Sequence, residues 1–197
     1  AACRLPALVS AVSAATIFAD TGTNRVRRPR LKAGANMDAF FRSLAQYPSR
    51  EDANGVFMRL VDGLGHRFTW ATEGLRPEDY EFTPGAGCKT IGGLIEHVWG
   101  LINWVHGVMG AEGKPGAKPE GPAEMRAQAL ELLLSLRSRL EAMSQHDLFA
   151  TKIRDVPVWH VINGPLADAL THTGQISSFR RLTGNVIPAH NVFMGGA

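Results

Sequence analysis

Asn163-Gly-Pro-Leu-Ala-Asp-Ala-Leu-Thr-His-Thr-Gly-Gln-Ile-Ser-Ser-Phe-Arg-Arg-Leu-Thr-Gly184 is the stretch on which the reading of this chain turns. It reads as one helix. Asn163 is placed to cap its start and Pro165 suits a first helical turn. Gly184, with Pro188 beyond it, supplies the stop. Asp168 and His172 are one turn apart, so their side chains leave the same face. Gln175 continues that stripe, and Leu166, Ala169, Ile176 and Phe179 surround it with apolar surface. The expectation is a buried face that carries an acid and an imidazole. Burying either one unpaired is costly, so the pair needs a structural or a chemical partner.

Upstream of this stretch, three further segments carry the helical period. Phe57, Leu60, Val61, Leu64, Phe68, Ala71 and Leu75 recur at three and four, after a capping-box pattern at Ser49-Arg-Glu-Asp52. Gly55, Gly63 and Gly65 weaken that helix in isolation, so it depends on packing. Thr90 is placed to cap the next helix, in which Ile91, Leu94, Ile95, Val98, Leu101, Ile102, Val105 and Met109 form a wide apolar stripe. His97 falls inside that stripe. Pro122 opens the third helix, with Met125, Ala129, Leu132, Leu133, Leu136, Leu140 and Met143 on one face and a charged face opposite. Asp38 to Tyr47 is a shorter candidate ended by Pro48. Residues 77–87 and 110–121 read as loops, and 145–162 as an irregular segment. No strand pattern stands out. Four amphipathic helices of this length predict an all-α, up-down four-helix bundle.

The 197 residues, 45% apolar and 20% charged, suit one domain able to bury a sizeable core. Two cysteines, Cys3 and Cys88, make no disulfide framework and no CxxC pair, so a metal site must use histidines and carboxylates. The net charge of +3 is unevenly spread. Residues 1–36 carry +5 and residues 37–197 carry −2. A basic tail on a mildly acidic body is no nucleic-acid surface. The apolar run from Leu5 to Ala19 is shorter than the roughly 20 residues of a membrane span. Residues 1–36 are read as an extension outside the fold, either upstream sequence or a tail, with an Arg-rich targeting segment as the alternative. The domain runs from 37 to 197, and its expected location is cytoplasmic.

His97, Asp168 and His172 all point toward the bundle interior on this reading. Two imidazoles and a carboxylate suit a divalent first-row metal such as zinc, nickel or iron. An i,i+4 pair lets one helix reach an ion twice, and a ligand from a second helix fixes that ion between them. Three protein ligands leave positions open for substrate. Gln175 is placed to orient a ligand from behind. The competing reading is a structural hydrogen-bond network of the same three side chains. A third is iron chemistry with oxygen, since two histidines and a carboxylate form the facial-triad set. The remaining histidines fit less well. His66 and His106 lie off the face of His97, His146 and His190 fall in loops, and Gly164-Pro165 obscures the direction of His160. Trp99, Trp104 and Trp159 read as core or pocket lining. No pattern for nucleophilic catalysis or phosphate binding occurs.

Thr90-Ile-Gly-Gly-Leu-Ile-Glu-His97, Gly164-Pro-Leu-Ala-Asp-Ala-Leu-Thr-His-Thr-Gly-Gln175 and the following Arg180-Arg181-Leu-Thr-Gly184 resemble the DinB/YfiT-like superfamily. The resemblance covers roughly Met37 to Gly184. It implies a four-helix bundle in which a histidine of the second helix and an H-x-x-x-H pair of the fourth bind a divalent metal. His97 and His172 match two of those histidines, and Asp168 stands where the first histidine of the pair is usual. That change alters the site's charge by one unit and favours harder metals. Characterised relatives include transferases and isomerases that use low-molecular-weight thiols. The resemblance therefore implies a small-molecule thiol and an electrophilic substrate as partners, and a homodimer as the assembly.

Overall fold

The computed structural model describes residues 37–44, 48–111 and 117–190. The proposed extension 1–36 lies outside the described residues. So do 45–47 of the first candidate helix, 112–116 of the second loop and the last seven residues of the domain. The chain is mostly helical. In order come α1 (Met37–Arg42), α2 (Ala53–Thr72), α3 (Pro77–Tyr80), α4 (Ile91–Val108), α5 (Pro122–Ala142) and α6 (Gln145–Ala150). A short antiparallel pair follows, β1 (Lys152–Ile153) with β2 (Val156–Pro157), then a turn at Ile162–Leu166 kinked at Gly164 and α7 (Ala167–Leu182). Among the described residues no helix is long and apolar enough to cross a membrane.

The four long helices close a ring. α2 packs against α5 and α7, and α4 packs against the same two helices. Their shared core is built from the periodic positions. Phe57, Val61, Leu64 and Phe68 of α2 meet Ile95, Val98 and Ile102 of α4 and Leu133, Leu136 and Leu140 of α5, all essentially buried. α7 adds smaller groups, Ala169 and Ile176.

The caps depart in part from expectation. Thr90 caps α4 by accepting from the Gly93 amide. The start of α2 is capped by Asp52, which accepts from the Gly55 amide at 3.0 Å, and Ser49 lies outside the helix. Gly55 is required there, since a Cβ would stand 2.0 Å from the Arg50 carbonyl oxygen. Gly65 admits the ring of Phe41 from α1 in the same way; a Cβ would lie 2.3 Å from it. The glycines that weaken α2 as an isolated helix are thus where other backbone and an aromatic ring press against it.

Helix C-termini are satisfied from neighbouring helices. Asn54 of α2 donates to the carbonyls of Leu140 and Met143 at the end of α5, both at 3.0 Å. Arg180 of α7 is buried and donates to the carbonyls of Trp70, Ala71 and Glu73 at the end of α2. It also grips the backbone oxygen and side chain of Asn185. Each long helix end left with orphan carbonyls needs such donors, and here they tie the ring together.

The segment 145–162 is more ordered than its sequence suggests. It holds α6, capped by Ser144, and a hairpin whose turn residues Arg154 and Asp155 have positive φ. Two-residue strands leave no alternation to read, which is why the sequence showed none.

Candidate metal centre

The polar stripe of the last helix is displaced from its buried face. The buried positions of this segment are Leu166, Ala169, Thr173, Ile176 and Arg180, at helical spacing. Asp168, His172 and Gln175 each lie one residue to the side, about 100° around the helix. They therefore occupy the edge where α7 meets α4 and not the interior. His97, Asp168 and His172 side chains retain 37%, 46% and 18% of their exposure. The expectation of a fully buried trio is corrected on this point: the three groups sit at an opening to solvent.

That opening nonetheless brings them together. His97 Nε2 stands 3.3 Å from Asp168 Oδ2, and His172 Nε2 stands 3.3 Å from Asp168 Oδ1. The two imidazole rings are edge to face with centroids 4.7 Å apart. One ligand atom from each residue lies within 4.8 Å of the others. For bond lengths of about 2.0–2.1 Å, two ligands on a tetrahedral ion are separated by roughly 3.3 Å. Both carboxylate contacts have that separation.

Gln175 sharpens the electrostatics. Its Oε1 accepts from His172 Nδ1 at 2.8 Å. A neutral imidazole with its proton on Nδ1 presents the Nε2 lone pair outward. That lone pair then faces Asp168 Oδ1, another acceptor. Two acceptors at 3.3 Å repel unless a cation lies between or beside them. A metal ion supplies such a charge, and so does a second proton on His172.

The local backbone explains how Asp168 reaches this edge. A short helical turn precedes Asn163, and the Asn163 side chain turns back to it and does not cap. With its amide nitrogen turned toward them, Asn163 donates to the carbonyls of Trp159 and His160, at 3.3 and 3.2 Å. Gly164 breaks the run with a non-helical ψ of −109°, so the chain kinks there and the helix restarts after it. Pro165 directly follows the kink, in the first turn of the restarted helix, where a missing N–H costs little.

The other histidines are placed elsewhere. His66 is buried against the Phe41 carbonyl, and burial holds its pKa below the usual value. His106 is buried with Nε2 at 2.9 Å from Ser135 Oγ. His190 stacks on Trp70, and His160 is exposed. Trp99 bonds Gln128, whereas Trp104 is half exposed and lines an open depression of about 530 Å³ beside Asp168. Leu101, Asn163, Pro165 and Thr171 complete its walls. Leu101 had been counted with the core stripe of α4; it stands one turn from His97 and shares the face of the site. Among the described residues the trio is the one cluster of three or more potential ligands.

Comparison with family models, with curated proteins and with solved structures returned no match for this chain.

Proposed function

We propose that the chain is a divalent-metal protein of the DinB/YfiT-like kind, an up-down four-helix bundle with its metal at the α4–α7 edge. His97, Asp168 and His172 would hold the ion, which is zinc, nickel or iron. The observation that carries this reading is the unpaired meeting of His172 Nε2 with Asp168 Oδ1, with His97 Nε2 alongside. Bound there, a divalent ion would act as a Lewis acid that lowers the pKa of a thiol or water. The chain's own residues supply the rest. Gln175 fixes the His172 tautomer, the α4–α7 edge leaves one side open to small molecules, and Asp168 contributes the negative charge that partly offsets the ion.

The activity that follows is transfer of a low-molecular-weight thiol to an electrophile, or an isomerisation that uses such a thiol, in the cytoplasm. A homodimer is the assembly that accompanies it. The second reading is a non-catalytic bundle in which Asp168 bridges two imidazoles. It is favoured by the two matched 3.3 Å separations, with His172 donating from Nε2 to Asp168 once the Gln175 amide presents its nitrogen to Nδ1.

Metal analysis of the full-length chain separates the two. The metal reading expects about one divalent ion per chain, lost in His172→Ala with the helical circular-dichroism spectrum retained. It also expects a lower Tm after chelation, since bound ligand stabilises the folded state by about 2.7 kcal/mol at 100 times Kd. Ion-free protein from a metal-replete preparation, with a Tm indifferent to chelator, sinks the metal reading and leaves the bridged network.

A further inference from the structure

The depression beside the trio has a chemical character of its own. Its apolar walls are Leu101 and Trp104 from α4 and Pro165 from the kinked turn before α7. Trp104 keeps 42% of its surface exposed at the rim. A single exposed apolar side chain is ordinary, as Phe149 and Trp159 also are here; what sets Trp104 apart is that its indole lines the same depression as Asp168. The depression is shallow and open to solvent over most of its extent, so a ligand would lie on the indole face and keep one side in water.

The polar lining is selective by sign. Among the described residues that line it, Asp168 supplies the only formal charge and none is a lysine or arginine. Thr171 Oγ1 already donates to the Ala167 carbonyl at 3.0 Å, which leaves its oxygen as an acceptor. The Asn163 amide nitrogen is spent on the Trp159 and His160 carbonyls, which leaves Oδ1 as an acceptor too. An anionic ligand would meet three acceptors, one of them a carboxylate, with no cation to offset its desolvation.

We propose that this depression is a binding site for an uncharged aromatic ligand, stacked on Trp104 against Leu101 and Pro165, with a hydrogen-bond donor directed at Asn163 or Thr171. Asp168 is common to the depression and the trio, so a ligand seated here has one end at the candidate metal centre. In the metal-free chain the lining therefore favours a neutral ring over a carboxylate or phosphate ester, a preference that holds where no ion neutralises Asp168. The link to chemistry rests on the proposed metal centre, whereas the binding itself does not.

Fluorine NMR of the full-length chain in the presence of chelator tests binding with no metal involved. The probes are 4-fluorobenzyl alcohol and 4-fluorobenzoate. The alcohol is expected to bind, and Trp104→Ala to weaken it about three- to tenfold, the worth of one aromatic pair. Trp104→Phe retains most of the affinity. Trp159→Ala, which removes an exposed indole outside the depression, is also without effect. The benzoate is expected to bind at least about tenfold more weakly, as a like charge beside Asp168 requires. Equal binding of the two probes overturns the proposal, as does an affinity that Trp104→Ala does not change. Probe binding together with ion-free protein from a metal-replete preparation sinks the metal centre and leaves this site standing; a loaded metal with no probe binding does the reverse.

Discussion

Arg180 to alanine is the substitution whose outcome follows most directly from the geometry. The guanidinium is buried and donates to five acceptors: the carbonyls of Trp70, Ala71 and Glu73, and the backbone and side-chain oxygens of Asn185. Three of these are the orphan carbonyls at the end of α2, and they have no donor of their own once Arg180 is gone. A hydrogen bond to a charged group is worth about 1.5–3 kcal/mol, but water will enter the truncated site and recover part of that. Losing the charge also relieves its desolvation, the cause that depresses the Arg180 pKa. The net loss is therefore about 3–5 kcal/mol, the range seen when one side of a buried charged contact is removed. For a domain of this size each kcal/mol moves Tm by about 2–4 °C, so the expected fall is on the order of 10 °C. Thermal unfolding of the full-length chain at 222 nm measures it. Arg180→Lys, which cannot span acceptors on two segments, should recover less than half of the loss. A change of under about 1 kcal/mol in Arg180→Ala would refute the claim that this side chain joins α7 to α2.

Three other outcomes are expected. Gly65→Ala gains up to about 1 kcal/mol of helix propensity but forces a Cβ to 2.3 Å from the Phe41 ring. Overpacking of about 1–3 kcal/mol wins, so denaturant unfolding should show net destabilisation, whereas Gly107→Ala, with nothing within 4 Å, should stabilise. Gln175→Leu should weaken metal binding about 10–100-fold, read by competition with a chromophoric chelator, because it frees the His172 tautomer that Gln175 now fixes. Asp79 accepts from Arg76 and Asn185, and these bonds hold its carboxyl well below the ordinary range. A depressed folded-state pKa gives stability that is complete above the unfolded value near 4 and is lost as pH falls below it; Asp79→Asn should flatten that acid limb in unfolding measured from pH 5 to pH 2.

The four long helices were legible because their apolar residues repeat at three and four over five turns or so, a signal that packing cannot disguise. The trio was legible as a set of residue types and spacings, and the structure brings the same three side chains together. Their exposure was not. Whether Asp168 points inward or sideways depends on a rotation of one residue, and Ala169, Thr173 and Gly174 are too small for their pattern to mark the buried face. Pro165 was legible as a first-turn residue, since the helix restarts just after Gly164; what left no local trace is that the Asn163 side chain turns back to the Trp159 and His160 carbonyls and does not cap. Nothing in the sequence marked Arg180 as a buried tie, because its acceptors come from a helix more than a hundred residues away in sequence. Contacts of that range leave no trace in local spacing.

The kinked turn at Ile162–Leu166 acts as a phase setter for everything after it. Each residue of α-helix turns the following chain by about 100°. Deleting one residue from the turn would carry Ala169, Thr173 and Ile176 into the slots of Asp168, His172 and Gln175. Leu170, Gly174 and Ser177 would then face the core. One edit would erase the centre while leaving every ligand in the sequence, so the alignment of this bundle's chemistry is set by five residues that contribute only one wall of a depression to it.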